Sequence, residues 1–413
     1  MPYPYRDEAV HDVGPITGVA RDSSNIHEAQ NILKRDLSDV VFTLKPHKTP
    51  FTTYLTSVPD YNGMKLMKKV TNARTFETLE DWYAGYYARL SAVYAATGAL
   101  GTVAVIGAGT QSGYIFTPGD VVRNARTGEN MIVNTVSATS FSVLATERAF
   151  GSTPAAAGAV GDGIYKVGNV SEEGSGARNI NTTRLSTVSN YTEIFKASIG
   201  TTGSAAAEAV YGGDVMAREK NKYIEEHALA IERQFMFGEK HRITGAGGED
   251  KRTTGGIYEG IVTSGAYVQD MDGNGLTAPD MNYFLSEGFT YGDSPEKTLL
   301  CGPRILDAVN EIARGQLTTK MDETTYGITI TKWRTSSGTV NLIKHPLLIN
   351  EMAGWGILID MDCFVYRYLT GRDTFFMPNS QASDIDGKCD QILSEVGLER
   401  RNMPKCALLK NVL

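Results

Sequence analysis

Residues 62–82, NGMKLMKKVTNARTFETLEDW, and residues 180–199, INTTRLSTVSNYTEIFKASI, are two long runs rich in Thr, Val and charge, with patchy apolar alternation. That composition favours strand over helix. Neither run holds enough apolar residues for a core of its own, and a lone two-stranded ribbon is barely stable in water unless it lies against something. The two runs are read as paired limbs, and the surface that supports them is expected to be a neighbouring copy of the chain.

The residues between the limbs change composition, to Gly, Ala, Thr, Ser and Val. Phe116-Thr117-Pro118-Gly119-Asp120 precedes Val121-Val122, Thr127-Gly128-Glu129 precedes Met131 to Val136, a short run follows at Phe141 to Leu144, and Gly161-Asp162-Gly163 precedes Ile164 to Val167. Short strands between Gly-Asp and Thr-Gly turns predict a compact β-barrel or sandwich inserted at the ribbon's tip.

Past Gly212-Gly213, with Asp214 as N-cap, a helix is predicted to run to Phe237 before Gly238, ~35 Å at 1.5 Å per residue. Met216, Ala217, Tyr223, Ile224, His227, Ala228, Ile231 and Phe235 share one stripe, and Arg218, Glu219, Lys222, Glu225, Glu226, Glu232 and Arg233 lie opposite. Leu229 and Met236 fall on the charged side, which suggests a second contact between subunits. Upstream, residues 1–25 read as a polar arm, followed by a short helix from Asn25 that Pro46 and Pro50 end. Downstream, Lys297 to Cys301 reads as a strand, and Pro303 opens an amphipathic helix closed by Gly315. The rest is β-rich: Tyr326 to Thr335, Gly338 to Leu348, Gly356 to Leu369, and terminal strands near Gln391 to Leu398 and Cys406 to Val412.

At 413 residues the chain is long enough for two or three domains of ~150 residues. Its 41% hydrophobic and 21% charged content is that of an ordinary globular protein, which excludes global disorder. A formal charge of −7 provides no long-range attraction for nucleic acid or anionic lipid. Cys301, Cys363, Cys389 and Cys406 form no C-x-x-C pair and suggest neither a zinc site nor a disulfide framework. No secretory signal is read at the N-terminus. Ala92 to Gly109 approaches the length of a membrane span, but Gly and Thr dilute it and flanking charges are missing, so it reads as strand and loop.

Three motifs invite a chemical reading. Val103 to Gly109, with Gly113 beyond, resembles a dinucleotide-binding turn at Gly107 and Gly109, yet a β run and a proline turn follow where a helix N-terminus is needed. Asp270, Asp272 and Asn274 with Gly275 match the first half of a calcium loop, but position 12 is Met281 and Pro279 disfavours the helix that should follow. An Asx/Gly turn is the better reading. Lys65, Lys68 and Lys69 cluster on the first limb, either as a solvated strand face or as a contact to acidic residues of a neighbour. His11, His27, His47, His227, His241 and His345 stand in no catalytic arrangement.

Taken in order, arm, extended hairpin with insertion, long helix and mixed domain resemble the major capsid protein of tailed bacteriophages. The residues that carry the likeness are Asp39-Val40-Val41 to Lys48-Thr49-Pro50-Phe51; Glu173-Gly174 with Val188 to Phe195; and Glu225, Ala228, Leu229, Glu232 and Phe237-Gly238 with Thr254-Gly255-Gly256-Ile257. The resemblance implies an α+β capsid fold. Residues 1–55 would form the N-terminal arm, 56–90 and 178–200 the limbs of an extended loop, and 91–177 the inserted β domain. A peripheral domain would hold 201–274 and 386–413 with the spine helix 214–237, and an axial domain 275–385 would sit at the centre of hexamers and pentamers.

The same resemblance implies a structural protein with no catalysis, no cofactor and no membrane. It would self-assemble around double-stranded DNA in a virion, after synthesis in the bacterial host cytoplasm. Expected partners are further copies of itself, a separate scaffolding protein, a portal and decoration proteins. Candidate inter-subunit contacts are Lys65, Lys68, Lys69, Arg74, Tyr191, Phe195, Leu229 and Met236. The alternatives are an encapsulin-like shell around cellular enzymes and, from another class, a nucleotide-dependent enzyme using the Gly107/Gly109 loop.

Overall fold

The structure, a computed structural model, describes residues 49–57, 67–81, 83, 85–106, 115–137, 140–151, 154–177, 185–207, 215–292, 294–316, 320–325 and 328–413. The arm, the helix expected from Asn25, Lys65, the Gly107/Gly109 loop and the Asp214 cap lie outside these residues. The described chain is α+β, built around three separate apolar cores.

The first core lies between a sheet and the long helix. The strands run Lys68–Thr71, Phe364–Leu369, Gly387–Arg400, Glu193–Thr202, with Phe375–Met377 also paired to Gly387–Arg400. Lys68–Thr71 is parallel to its neighbour, and the other pairings are antiparallel. Helix Val215–Phe237 packs on Glu193–Thr202 and on the central strand. Its second half is also covered by helices Pro50–Ser57 and Ile257–Ser264.

That double cover changes two expectations. Leu229 and Met236 are buried inside their own chain, as is Glu232, while Ile224 on the expected apolar stripe is exposed. A stripe computed from one helix cannot register that two neighbours enclose its C-terminal half. Pro50 opens a helix, because proline at the first helical position sacrifices no hydrogen bond; the segment it was expected to end lies outside the described residues.

The second core fills a seven-stranded sheet ordered Tyr267–Asp270, Ala407–Lys410, Gly356–Ile359, Glu296–Cys301, Thr339–Lys344, Ile328–Arg334, Lys320–Thr325. Lys297 to Cys301 is buried throughout, as a central strand covered on both faces must be. Helix Ala278–Gly288 starts with Thr277 and Asp280 in a reciprocal capping box and Pro279 in its first turn, so Pro279 favours a helix at this point rather than opposing one.

Neither sheet coincides with the expected division at residue 385. Strands Phe364–Leu369 and Phe375–Met377 join the first sheet, while Ala407–Lys410 crosses into the second. The run Gly356 to Leu369 is two strands, broken by a 3-10 turn at Met361–Cys363 that carries the chain from one sheet to the other. Asp360 caps that turn, accepting from Asp362 N at 3.2 Å and from the Ser294 hydroxyl at 2.7 Å. Sheet membership here is set by pairing across long sequence separations, which local patterning does not encode.

The third core belongs to a small barrel: Asn130–Ile132, Asp120–Asn124, Gly163–Asn169, Tyr87–Leu90, Leu100–Ile106, Ser140–Val143, Thr135–Val136. The two end strands are one continuous chain run. Val133 N donates to Asp120 O and Asn134 N to Ser142 O, so residues 130–136 bond both edges and close the cylinder. The barrel takes in Tyr87–Leu90, earlier than the expected start at residue 91. Leu100–Ile106 pairs antiparallel on both sides, unlike the parallel opening strand of a dinucleotide-binding unit. Among the described residues no helix is long and apolar enough to cross a membrane.

Candidate functional site

The two-stranded ribbon pairs Thr75–Glu80 with Ser186–Tyr191, from Thr75 against Tyr191 to Glu80 against Ser186. Among the described residues the limbs pair over these segments only, and beyond Thr192 the second limb enters the first sheet as Glu193–Thr202. Nor does the ribbon wait for a neighbour to lie on. One face is seated on its own chain: Phe76 packs over Gly397, and Glu80 Oε1 accepts from Asn402 N at 2.6 Å. Buried Asn190 accepts from Gly255 N at 2.8 Å and donates to the carbonyls of Gly255 and Leu398 at 2.9 and 2.7 Å.

The opposite face is covered at its Tyr191 end by Lys240, whose ammonium donates to Ser189 Oγ at 2.7 Å, and is open along the rest. Glu77 and Leu79 point into solvent, and Tyr83, where the chain leaves the ribbon for the barrel, is fully exposed. Strand Glu193–Thr202 has an outer edge with no partner strand among the described residues, and Ile194 and Lys196 are exposed beside it. Unpaired edges and exposed apolar side chains of this kind are typical docking features.

The expected contact residues divide between surface and interior. Lys69 and Arg74 are exposed, consistent with contacts to another molecule. Lys68 is committed within the chain, 2.6 Å from Asp373 and over the rings of Tyr366 and Tyr368. Tyr191 is half-buried beneath the Lys240 ammonium. Phe195 is a core residue set edge-on to His227, and Leu229 and Met236 are core residues too. Phe195 faces the helix because odd positions of its strand near there point inward.

The metal-loop candidates are also committed. Asp270 pairs with Lys410 at 2.8 Å and accepts from Asp272 N and Asn411 Nδ2. The Lys410 ammonium and these donors hold its carboxyl down to about 2. Asn274 Nδ2 donates to Met271 O at 2.8 Å, and Asp272 and Gly273 take positive φ, which makes the segment an Asx/Gly turn.

Two features were not read from the sequence. Glu232, wholly buried, accepts from Phe51 N at 2.9 Å and Thr52 N at 2.8 Å, and shares a 2.9 Å contact with His345 Nε2. One carboxylate thus caps helix Pro50–Ser57 and ties it to the long helix and the second sheet. Along Gly387–Arg400, Glu395 binds Arg372 and Arg252, Glu399 binds Arg367 and Arg401, and Arg400 binds Glu259. Charge spacing in the sequence does not identify these partners, because all but Arg401 are supplied by distant segments.

The geometry is that of a subunit whose chemistry is turned to holding itself together and presenting bare edges. The model of the SU10 major capsid protein family matches residues 19–413. The chain belongs to that family.

The major capsid protein of Pseudomonas phage PaMx41 is 25% identical to it over 322 residues, 71% of this chain and 75% of that one. Among solved structures, the capsid of a native GTA particle is 11% identical, covering 95% of this chain and all of the other, with a TM-score of 0.48. The capsid of Cyanophage A-1(L) is 10% identical over 93% and 98% of the two chains, also at 0.48. The SrpI encapsulin of Synechococcus elongatus PCC 7942 is 11% identical over 56% and 78%, at 0.42. The protein is thus a phage major capsid protein, a virion component that assembles into a multimeric shell. Among the described residues of this capsid protein, the Glu77–Leu79 side of the ribbon, the outer edge of Glu193–Thr202 and much of the barrel exterior are exposed.

Proposed function

We propose that the capsid protein builds hexamers and pentamers of an icosahedral shell that encloses double-stranded DNA without reading its sequence. The first sheet with its long helix serves as the peripheral domain and the seven-stranded sheet as the axial domain. The ribbon is the extended loop, with the barrel as its insertion. The protein acts as a structural component without a catalytic step. It is made in the cytoplasm of the bacterial host, where a separate scaffolding protein, a portal and decoration proteins join it.

The observation that carries this reading is the ribbon, seated on its own body by one face and open to solvent along Glu77 and Leu79 on the other. Obligate assemblies commonly bury about 2,000 Å² or more, so the ribbon face would contribute part of the contact together with the strand edge and the barrel exterior. Curvature follows when contacts between unlike surfaces close on themselves. An acidic chain suits a shell whose contents are held by enclosure rather than by phosphate contacts.

Electron microscopy of the protein made in a bacterium with its phage's assembly genes tests the reading. Closed icosahedral particles with nuclease-protected DNA are expected after packaging. A discrete small oligomer under the same conditions overturns it.

A further inference from the structure

The barrel's exterior carries a patch that its own fold does not use. On Tyr87–Leu90, Asp120–Asn124 and Gly163–Asn169, the residues Ala88, Val122, Asn124 and Ile164 fill the interior, so alternation turns Tyr87, Arg89, Arg123 and Tyr165 outward. Cross-strand register sets Arg123 and Tyr87 on either side of Tyr165. The Tyr87 and Tyr165 rings are 4.7 Å apart, and exposed Tyr86 lies 6.5 Å from Tyr165. Both rings lean over Gly163, where a Cβ would fall 2.8 Å from Tyr87 and 3.3 Å from Tyr165.

The charges on this patch have no counter-charge among the described residues. Arg126, Arg148 and Lys166 of the barrel pair with Asp162, Glu129 and Asp120. Arg89 instead donates to the Tyr87 hydroxyl, and neither Arg89 nor Arg123 pairs with a carboxylate of a described residue. A cluster of tilted aromatic rings flanked by two guanidinium groups that have no carboxylate partner among the described residues suits an acidic, exposed segment.

The same barrel presents one elsewhere. Beyond Asn169 the chain runs exposed through Val170 to Ala177 and folds into a tight turn, in which Ser175 N donates to Glu172 O and Gly174 takes φ +77°. Glu172 and Glu173 stand on that turn with no ion-pair partner among the described residues. The strand carries the turn away from Tyr165, so the patch and the turn occupy different parts of one barrel.

We propose that the Tyr87, Tyr165, Arg89 and Arg123 patch receives the Glu172–Ser175 turn from the barrel of a neighbouring copy, linking capsid subunits head to tail through the insertion. The contact joins unlike surfaces, so it propagates from copy to copy and closes only if the rotation between copies closes. It rests on the shell reading above.

Charge reversal with rescue tests it. R89E/R123E and E172R/E173R should each lower particle yield at least tenfold, and the four substitutions together should return it to within twofold of wild type. Thermal melting of the unassembled subunits shows whether each variant folds. As a second measure, particles carrying R123C and E172C, treated with oxidised glutathione, should give a ladder of disulfide-linked subunits that R123C alone does not give. Wild-type yields from either reversal, singles without rescue, or no ladder overturn the proposal. So do variants that assemble normally but lose attachment to a glycan or a nucleic acid. If wild-type protein forms no particles, the shell reading fails with it; if only the variants behave otherwise than expected, this contact alone is wrong.

Discussion

Glu232 shows how far a single residue's role can depart from its place in a helical pattern. By periodicity it belongs with Arg233 and Glu226 on a wet face, yet it is buried and satisfied by three donors. Removing it leaves two backbone N–H groups and His345 without their acceptor, so Glu232→Ala is expected to destabilise the unassembled subunit by about 3–5 kcal/mol. Urea denaturation followed by tryptophan fluorescence measures this. His227, buried against Phe195 and hydrogen-bonded to the Ser394 hydroxyl at 2.7 Å, titrates below its ordinary 6.5 because burial disfavours the imidazolium. Above pH 6.5 the folded and unfolded states both hold it neutral. As pH falls below 6.5 the unfolded chain binds the proton first, so stability declines towards the folded-state value. Melting temperature against pH should therefore fall less steeply between pH 6.5 and 5 in His227→Gln than in the wild type.

At the scale of elements, the ribbon depends on the glycine beneath it. A Cβ at Gly397 would lie 2.5 Å from Tyr191 O and 2.9 Å from the Phe76 ring. Gly397→Val is expected to lift the ribbon off the central strand at a cost of about 1–3 kcal/mol. The sign would be faster amide exchange across Ser186–Tyr191, with little change in helix Val215–Phe237, and unchanged exchange in the ribbon would show that it is held elsewhere. Strand propensity and Thr-rich composition made the ribbon legible, and turn chemistry at Pro118-Gly119 and Gly161-Asp162 made the barrel legible. The support beneath the ribbon was not legible, because Asn190, Gly255 and Leu398 lie far apart in the chain and meet only when it folds.

In the whole molecule, three cores imply units that can open separately. The barrel's buried pair, Arg148 with Glu129 at 2.7 Å, lies within the third core's module, and Arg148 also donates to Ala95, Gly98 and Ala156 carbonyls. Arg148→Ala should cost the barrel about 3–5 kcal/mol. It should advance the loss of amide protection in residues 115–137 and 163–169 while the two body sheets keep theirs, and simultaneous loss everywhere would show the cores to be one cooperative unit.

By itself the sequence determined the long helix, most strand runs and the barrel turns, which follow from periodicity and turn chemistry within short windows, while the family likeness was a resemblance carried by motifs and their order along the chain. Only the tertiary structure decided which strands share a sheet, that Glu232, Phe195 and Met236 lie inside the subunit, and that the ribbon lies on its own chain. Those outcomes depend on hydrogen bonds and apolar contacts between distant segments, whose energies no local window contains.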